Sequence, residues 1–345
     1  MTKSAEIIDI LTEALKYENL LKNGSNLFNS IFKLINKKKI PSFIIDRITE
    51  IINDYSNKYP LNLENYIIYE NCALLLSLCE KYQESLKLFL SICKLPLDMY
   101  YKNKIYCNSV KCHMRLGNYK KAINLCNFCI KNIHYLDQDT AFNCHFNLAL
   151  CYKNIMDYDK SLEEIQNIEY FFNMSKFNIF DTLLLKANLL AEKNYTDSAM
   201  AIYNLIFNSS SKSSHKLIIT CHIMEIYINS NDVYLLKKSL RNIKNYIKSD
   251  DNFCSRRYYQ FVYYSMLKGY CFIEDYNKSS ECIINILNNA IKATNYKYID
   301  KVFQEMVKFY SKIPSKDYLK IKNLFNKIMS SDNFYNKKTI KEFLY

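Results

Sequence analysis

The chain has 345 residues, enough to bury one large core or an extended multi-unit one. Three glycines and four prolines are too few for sheets joined by tight turns, so the composition excludes most β architectures and leaves helices connected by short polar turns. The formal net charge of +13 favours association with polyanions without specifying a fold.

The thirteen cysteines are odd in number and scattered among apolar neighbours, the pattern of free thiols in a reducing compartment rather than of a disulfide framework. Acidic residues break every apolar run in "MTKSAEIIDILTEALKYEN", and no stretch of about 18 apolar residues occurs anywhere. A cytoplasmic protein with no signal peptide and no membrane partner is expected.

At the N-terminus the apolar spacing predicts helices over 5–15, 17–22, 26–35 and 43–53, with a break at "NGS" and a loop holding Lys37, Lys38 and Lys39. Pro41 suits a loop entering a new helix, because it has no N–H to leave unpaired and its φ is already helical. A short helix, a Gly-containing turn and a second helix make a helix-turn-helix. This segment resembles a divergent member of the repressor-type helix-turn-helix group, in which a recognition helix is followed by a basic loop and then Pro-Ser-Phe. Leu20-Leu21 stands where that group has Leu-Ala, and the distance to Pro41 fits without a gap. The group's polar opening signature is here "KYEN", and its loop glycine is Lys37. The resemblance implies that Leu27, Ile31 and Leu34 face the core, while Ser25, Asn26, Asn29, Ser30 and Lys33 meet base edges and phosphates in the major groove. Lys37, Lys38 and Lys39 would neutralise backbone phosphates, which position a duplex without reading it. Two other readings stay open: a helical cap over residues 1–60 with solvated lysines, and a bundle that docks protein.

From residue 61 onward the chain repeats. "CEKYQESLKLF", "LGNYKKAINLC", "IMDYDKSLEEI", "AEKNYTDSAMAI" and "IEDYNKSSECI" share a polar turn, a tyrosine and a small residue three places on. Tyr82, Tyr119, Tyr158, Tyr195, Val233 and Tyr276 mark the units, separated by 37, 39, 37, 38 and 43 residues, a period typical of helix-pair solenoids. Three residues after the marker stand Ser85, Ala122, Ser161, Ser198 and Ser279, small enough for paired helices to approach. Phe89, Cys126, Ile165, Ile202 and Ile283 follow at seven, and Ile92, Cys129, Ile168, Leu205 and Ile286 at ten, all on one helical face. Ala73, Val110 and Ala149 lie nine residues before the marker, on the preceding helix. The pattern resembles the tetratricopeptide repeat and is strongest at "FNLALCYKNIMDYDKSLEEI". The resemblance implies an all-α, right-handed superhelix of about six or seven helix pairs over 61–345, with a groove lined by the first helix of each pair.

Eleven residues before the marker stand Asn71, Asn108 and Asn147 in three successive units, then Leu184, His222 and Ser265. In tetratricopeptide domains that offset lies on the groove wall. A carboxamide both donates and accepts, so a ladder of three suits the main chain of an extended peptide whatever its side chains are. Asparagine is also abundant in this chain, and coincidence at one offset stays open. Lys111 and Arg115, farther along the helix bearing Asn108, are placed either to meet a peptide carboxylate or simply to be solvated.

The pair Cys126 and Cys129 has a metal-like spacing, but both occupy offsets held by Ile or Leu in sister units, and no second close pair completes a tetrahedral set. His113 and His145 stand at packing positions. With no phosphate loop, nucleophile elbow or paired-histidine motif, no catalytic residue, metal or cofactor is expected. A small helix-turn-helix followed by a tetratricopeptide superhelix resembles the RRNPP family of peptide-sensing regulators, which includes the arbitrium receptors of phages. The resemblance implies a homodimer that binds a short signalling peptide in its groove and a palindromic DNA operator through its N-terminal heads. The rival is an interaction adaptor, such as a Rap-like inhibitor of a signalling protein, without DNA binding.

Overall fold

The computed structural model describes residues 3–14, 28–32, 42–172, 179–250, 253, 258–293, 296 and 298–330. All regular structure among these residues is helical, as the composition requires. The chain divides into two compact units, Met1–Lys193 and Asn194–Tyr345.

The first unit opens with α1 (Lys3–Ala14), a helical stretch at 28–32, and α2 (Ser42–Lys58). Three helix pairs follow: α3 (Tyr66–Leu78) with α4 (Tyr82–Ile92), α5 (Met99–Arg115) with α6 (Tyr119–Lys131), and α7 (Gln138–Asn154) with α8 (Tyr158–Phe171). The unit closes on α9 (Ile179–Glu192). The described N-terminal helices share their core with the first pair. Ile7, Leu11, Phe28, Ile31, Ile44, Ile48 and Ile52 join one continuous core with Tyr69, Ala73, Phe89 and Ile92 of the first pair.

The second unit holds α10 (Thr196–Ser209), α11 (Ser213–Asn229), α12 (Val233–Lys248), α13 (Tyr259–Phe272), α14 (Tyr276–Ala293), α15 (Ile299–Phe309) and α16 (Ser315–Met329). Its core runs from Leu217 through Met266, Ile283 and Val302 to Phe325 and Ile328. Gly269 lets α13 approach closely: a Cβ there would stand 3.2 Å from the side chains of both Leu240 and Met224.

The repeat is punctuated by backbone geometry more than by its tyrosines. Glu80, Gly117, Met156, Asn194, Asn231 and Glu274 all take left-handed φ between 59° and 74°. Five of these turns close with the same bond, in which the next N–H reaches back to a carbonyl five residues earlier: Lys81 to Leu76, Asn118 to His113, Asp157 to Tyr152, Asp232 to Tyr227 and Asp275 to Tyr270. This cap satisfies helix-end carbonyls that would otherwise be orphaned. It also sets the second helix off in a fixed direction. The aspartates then cap that helix, as when Asp232 accepts from the Leu235 N–H at 2.9 Å.

The small residue three places after the marker has a bonding role as well as a steric one. Ser85 Oγ donates to the Ala73 carbonyl and Ser161 Oγ to the Ala149 carbonyl, both at 2.7 Å, joining the two positions that the sequence singles out on paired helices. Ser85, Ala122, Ser161 and Ser279 are fully buried, as are Phe89, Cys126, Ile165 and Ile283.

The unit marked by Tyr195 departs from the sequence expectation by one residue. Its left-handed turn is Asn194, directly before the tyrosine, whereas elsewhere that residue lies two before the marker. The buried set on α10 is therefore Ala199, Tyr203 and Ile206, while Tyr195 is 55% and Leu205 59% exposed and Ser198 faces solvent. Asparagine tolerates the left-handed region better than most residues, so the turn settles on Asn194 and carries the helix register with it.

Candidate functional site

In the first unit the first helices of the pairs, α3, α5 and α7, lie side by side. Asn71, Asn108 and Asn147 occupy the same place on each, and each is half-buried. Repetition at one offset on stacked helices therefore puts three amides on a single strip. Neither Asn71 nor Asn147 is engaged by another group among the described residues. Asn108 is engaged: its Nδ2 donates to Glu70 Oε1 at 3.1 Å.

Glu70 was not singled out in the sequence, yet it organises this end of the strip. It is 5% exposed, with Lys104 Nζ 3.6 Å from the same oxygen that Asn108 meets. Burial pushes its carboxyl above the usual range, and Lys104 and the Asn108 hydrogen bond only partly offset this. One helical turn earlier Tyr66 packs edge-to-face on Tyr101, ring centroids 5.7 Å apart. Burial, Tyr101 and the nearby Glu70 and Asp98 carboxylates push the Tyr66 phenol up to about 12. Lys111 and Arg115 lie exposed farther along α5.

The amide ladder stops after three rungs. Counted from the observed turn, the next position is Leu185 on α9, which is buried, in place of Leu184. In the second unit, His222 stacks with Tyr203 at 6.1 Å and tilts against Phe261 at 5.1 Å, and Ser265 is buried.

Of the candidate DNA contacts, Asn29 and Ser30 lie within the described residues. Both are exposed on the stretch at 28–32, with Phe28 and Ile31 turned into the core. Ser25, Asn26, Lys33, Lys37, Lys38 and Lys39 lie outside the described residues, as do Leu27 and Leu34.

Cys126 and Cys129 are fully buried, and every described cysteine is a free thiol. Burial drives Cys79 and Cys151 up to about 12, so these thiols stay protonated and unreactive. His113 is buried, which lowers its pKa, and His145 Nδ1 lies 2.7 Å from Glu164 Oε2. Among the described residues no group of three or more His, Cys, Asp or Glu is arranged to hold a metal ion, and no helix is long and apolar enough to cross a membrane.

No protein-family model matches this sequence, and no curated protein matches it either. Solved structures do match in fold. The apo form of the quorum sensor NprR from B. thuringiensis superposes with a TM-score of 0.54 at 12% identity, covering 99% of this chain and 97% of that one. A Rap protein complexed with competence and sporulation factor gives 0.53 at 11% identity, covering 99% of both. The fold is thus that of an all-α helical-repeat protein with NprR and Rap as end-to-end structural neighbours, the architecture that the resemblance to peptide-sensing regulators implies.

Proposed function

We propose that the protein is a DNA-binding transcriptional regulator controlled by a short signalling peptide held on the first-helix strip of its N-terminal unit. Asn71, Asn108 and Asn147 grip the peptide main chain, and Lys111 and Arg115 meet its carboxylate. The observation that carries this reading is the recurrence of half-buried asparagine at one place on three adjacent helices, in a fold matched end to end by a quorum sensor. Adjacent helices pack about 8–10 Å apart, so three rungs span roughly 20 Å. An extended chain at about 3.3–3.6 Å per residue covers that span in about six residues.

In this reading the protein acts as a cytoplasmic homodimer and performs no catalysis. Lys33 and Lys37 to Lys39 neutralise phosphates of a palindromic duplex, and Ser25, Asn26, Asn29 and Ser30 approach base edges. A guest changes DNA binding only if it prefers one arrangement of the repeats over another, because equal affinity for both shifts nothing. A second reading, an adaptor that grips a signalling protein, draws support from the shared core of the N-terminal helices and the first repeat and from the likeness to Rap.

The test is retention of sheared genomic duplex and of a randomised hexapeptide library by the purified full chain, each alone and together. Retained peptides that change the amount or sequence of retained DNA are expected. Peptide retention with no duplex bound even at low salt would transfer the assignment to the adaptor, and failure to retain any peptide would overturn both.

A further inference from the structure

Glu70 is a buried carboxylate whose described neighbours engage only one of its two oxygens. Asn108 Nδ2 and Lys104 Nζ both converge on Oε1, at 3.1 and 3.6 Å, while Oε2 accepts no hydrogen bond from any described residue. Lys104 is itself 42% exposed at its side chain, so it screens the carboxylate from the solvent side without enclosing it. Asp98, which caps α5 through the Tyr101 N–H, lies with Glu70 among the carboxylates near the Tyr66 phenol. Tyr66 and Tyr101 wall the corner with aromatic rings, Tyr66 being one helical turn from Glu70 and Tyr101 one turn from Lys104.

A carboxylate oxygen that no described residue engages, beside an aromatic pair, is complementary to a cation that is both hydrogen-bonding and weakly hydrated. Asn71, the first rung of the amide strip, is the residue next to Glu70 in the chain. A group seated at Oε2 would thus mark one end of a peptide lying along the strip.

We propose that Glu70, walled by Tyr66 and Tyr101, anchors a cationic group of the guest peptide, an ammonium or guanidinium that donates to Oε2. This rests on the peptide-binding reading, and names what the guest must carry. The ammonium has two sources, a free peptide N-terminus or a lysine side chain, and the guanidinium has one, arginine.

The test uses the full-length protein and the hexapeptide library in matched forms: free and N-acetylated termini, and Lys and Arg either present or replaced by norleucine and citrulline. The expected result is that neutralising one of these cations weakens binding about tenfold or more, the worth of a charge-assisted hydrogen bond. The arm that loses affinity identifies the source. Glu70→Gln keeps an acceptor for Asn108 and Lys104, and is expected to bind the cationic and neutralised peptides alike while retaining helicity by circular dichroism. Cationic and neutral peptides retained equally by the wild-type chain would overturn the anchor and leave the amide strip standing. An equal loss of all peptides in Glu70→Gln would reduce Glu70 to a structural part. No retention of any peptide by the wild-type chain would remove the anchor together with the reading beneath it.

Discussion

The two units are built on the same turn and the same buried positions, but they treat their first-helix faces differently. In the N-terminal unit the strip offers two amides that no described residue engages, and a carboxylate with one open oxygen. In the C-terminal unit the corresponding face is closed by its own chemistry. His222 is held between Tyr203 and Phe261, Glu225 is ion-paired with Lys268, and Lys268 and Lys301 lie 5.6 and 5.9 Å over the Tyr264 ring. Burial, with nearby Glu305 and Glu225, pushes the Tyr264 phenol up to about 12. A face that already satisfies its polar groups gains little from a guest, since displaced contacts offset new ones. On the peptide-binding reading, this difference favours the N-terminal face as the one that takes the guest.

The most severe way to probe this division is to break each core separately. Phe89 and Phe325 are both fully buried, one in each unit. Phe89→Ala and Phe325→Ala are each expected to cost about 3–5 kcal/mol. Hydrogen exchange resolved by peptide should show faster exchange confined to 1–193 for the first and to 194–345 for the second. Equal loosening of both units by either substitution would dissolve the boundary. A gentler probe compares the faces directly. Asn108→Ala removes a donor and an acceptor from the strip, and should weaken hexapeptide binding roughly ten- to hundredfold, whereas His222→Ala should leave it unchanged. Calorimetric titration of the two variants decides between them, and a comparable loss in His222→Ala would move the guest to the other unit.

Most of the fold was legible because it is repeated. A buried serine that bonds across to an alanine carbonyl in two units leaves a spacing that a single sequence can reveal. Asn71, Asn108 and Asn147 were legible for the same reason. The register around Tyr195 was not, because the aromatic marker is only a correlate of the turn, and the left-handed residue is what fixes it. Counting five residues on from each left-handed position reaches Ser85, Ala122, Ser161, Ala199, Leu236 and Ser279, all buried, without a slip. Asn194, the only asparagine in "AEKNYTDSAMAI", was the available signal. Glu70 left no signal at all: a carboxylate on an amphipathic helix reads as solvent-exposed, and its partners Lys104 and Asn108 come from more than thirty residues away. The corrected register has its own test. Ala199→Leu forces three extra carbons into a filled site and should cost about 1–3 kcal/mol, while Ser198→Leu should stay within about 0.5 kcal/mol. Thermal or urea unfolding distinguishes them, and the reverse order would restore Tyr195 as the marker.

The smallest effect expected is also the one that sets the two faces apart in energy. Because burial raises the Glu70 pKa above its unfolded value, the ionised carboxylate lowers the stability of the empty protein at neutral pH. That penalty disappears as pH falls through the folded-state pKa and the group takes up its proton. Glu70→Gln, neutral throughout, should therefore be slightly more stable than the wild-type chain at neutral pH. The advantage should shrink on acidification, as followed by urea unfolding across that range. Lys268→Met, by contrast, leaves Glu225 without its partner in the C-terminal unit and should gain no stability at neutral pH. A pH-independent gap between Glu70→Gln and wild type would mean that the carboxylate is already compensated by Lys104 and Asn108. The N-terminal face would then be as self-contained as the other.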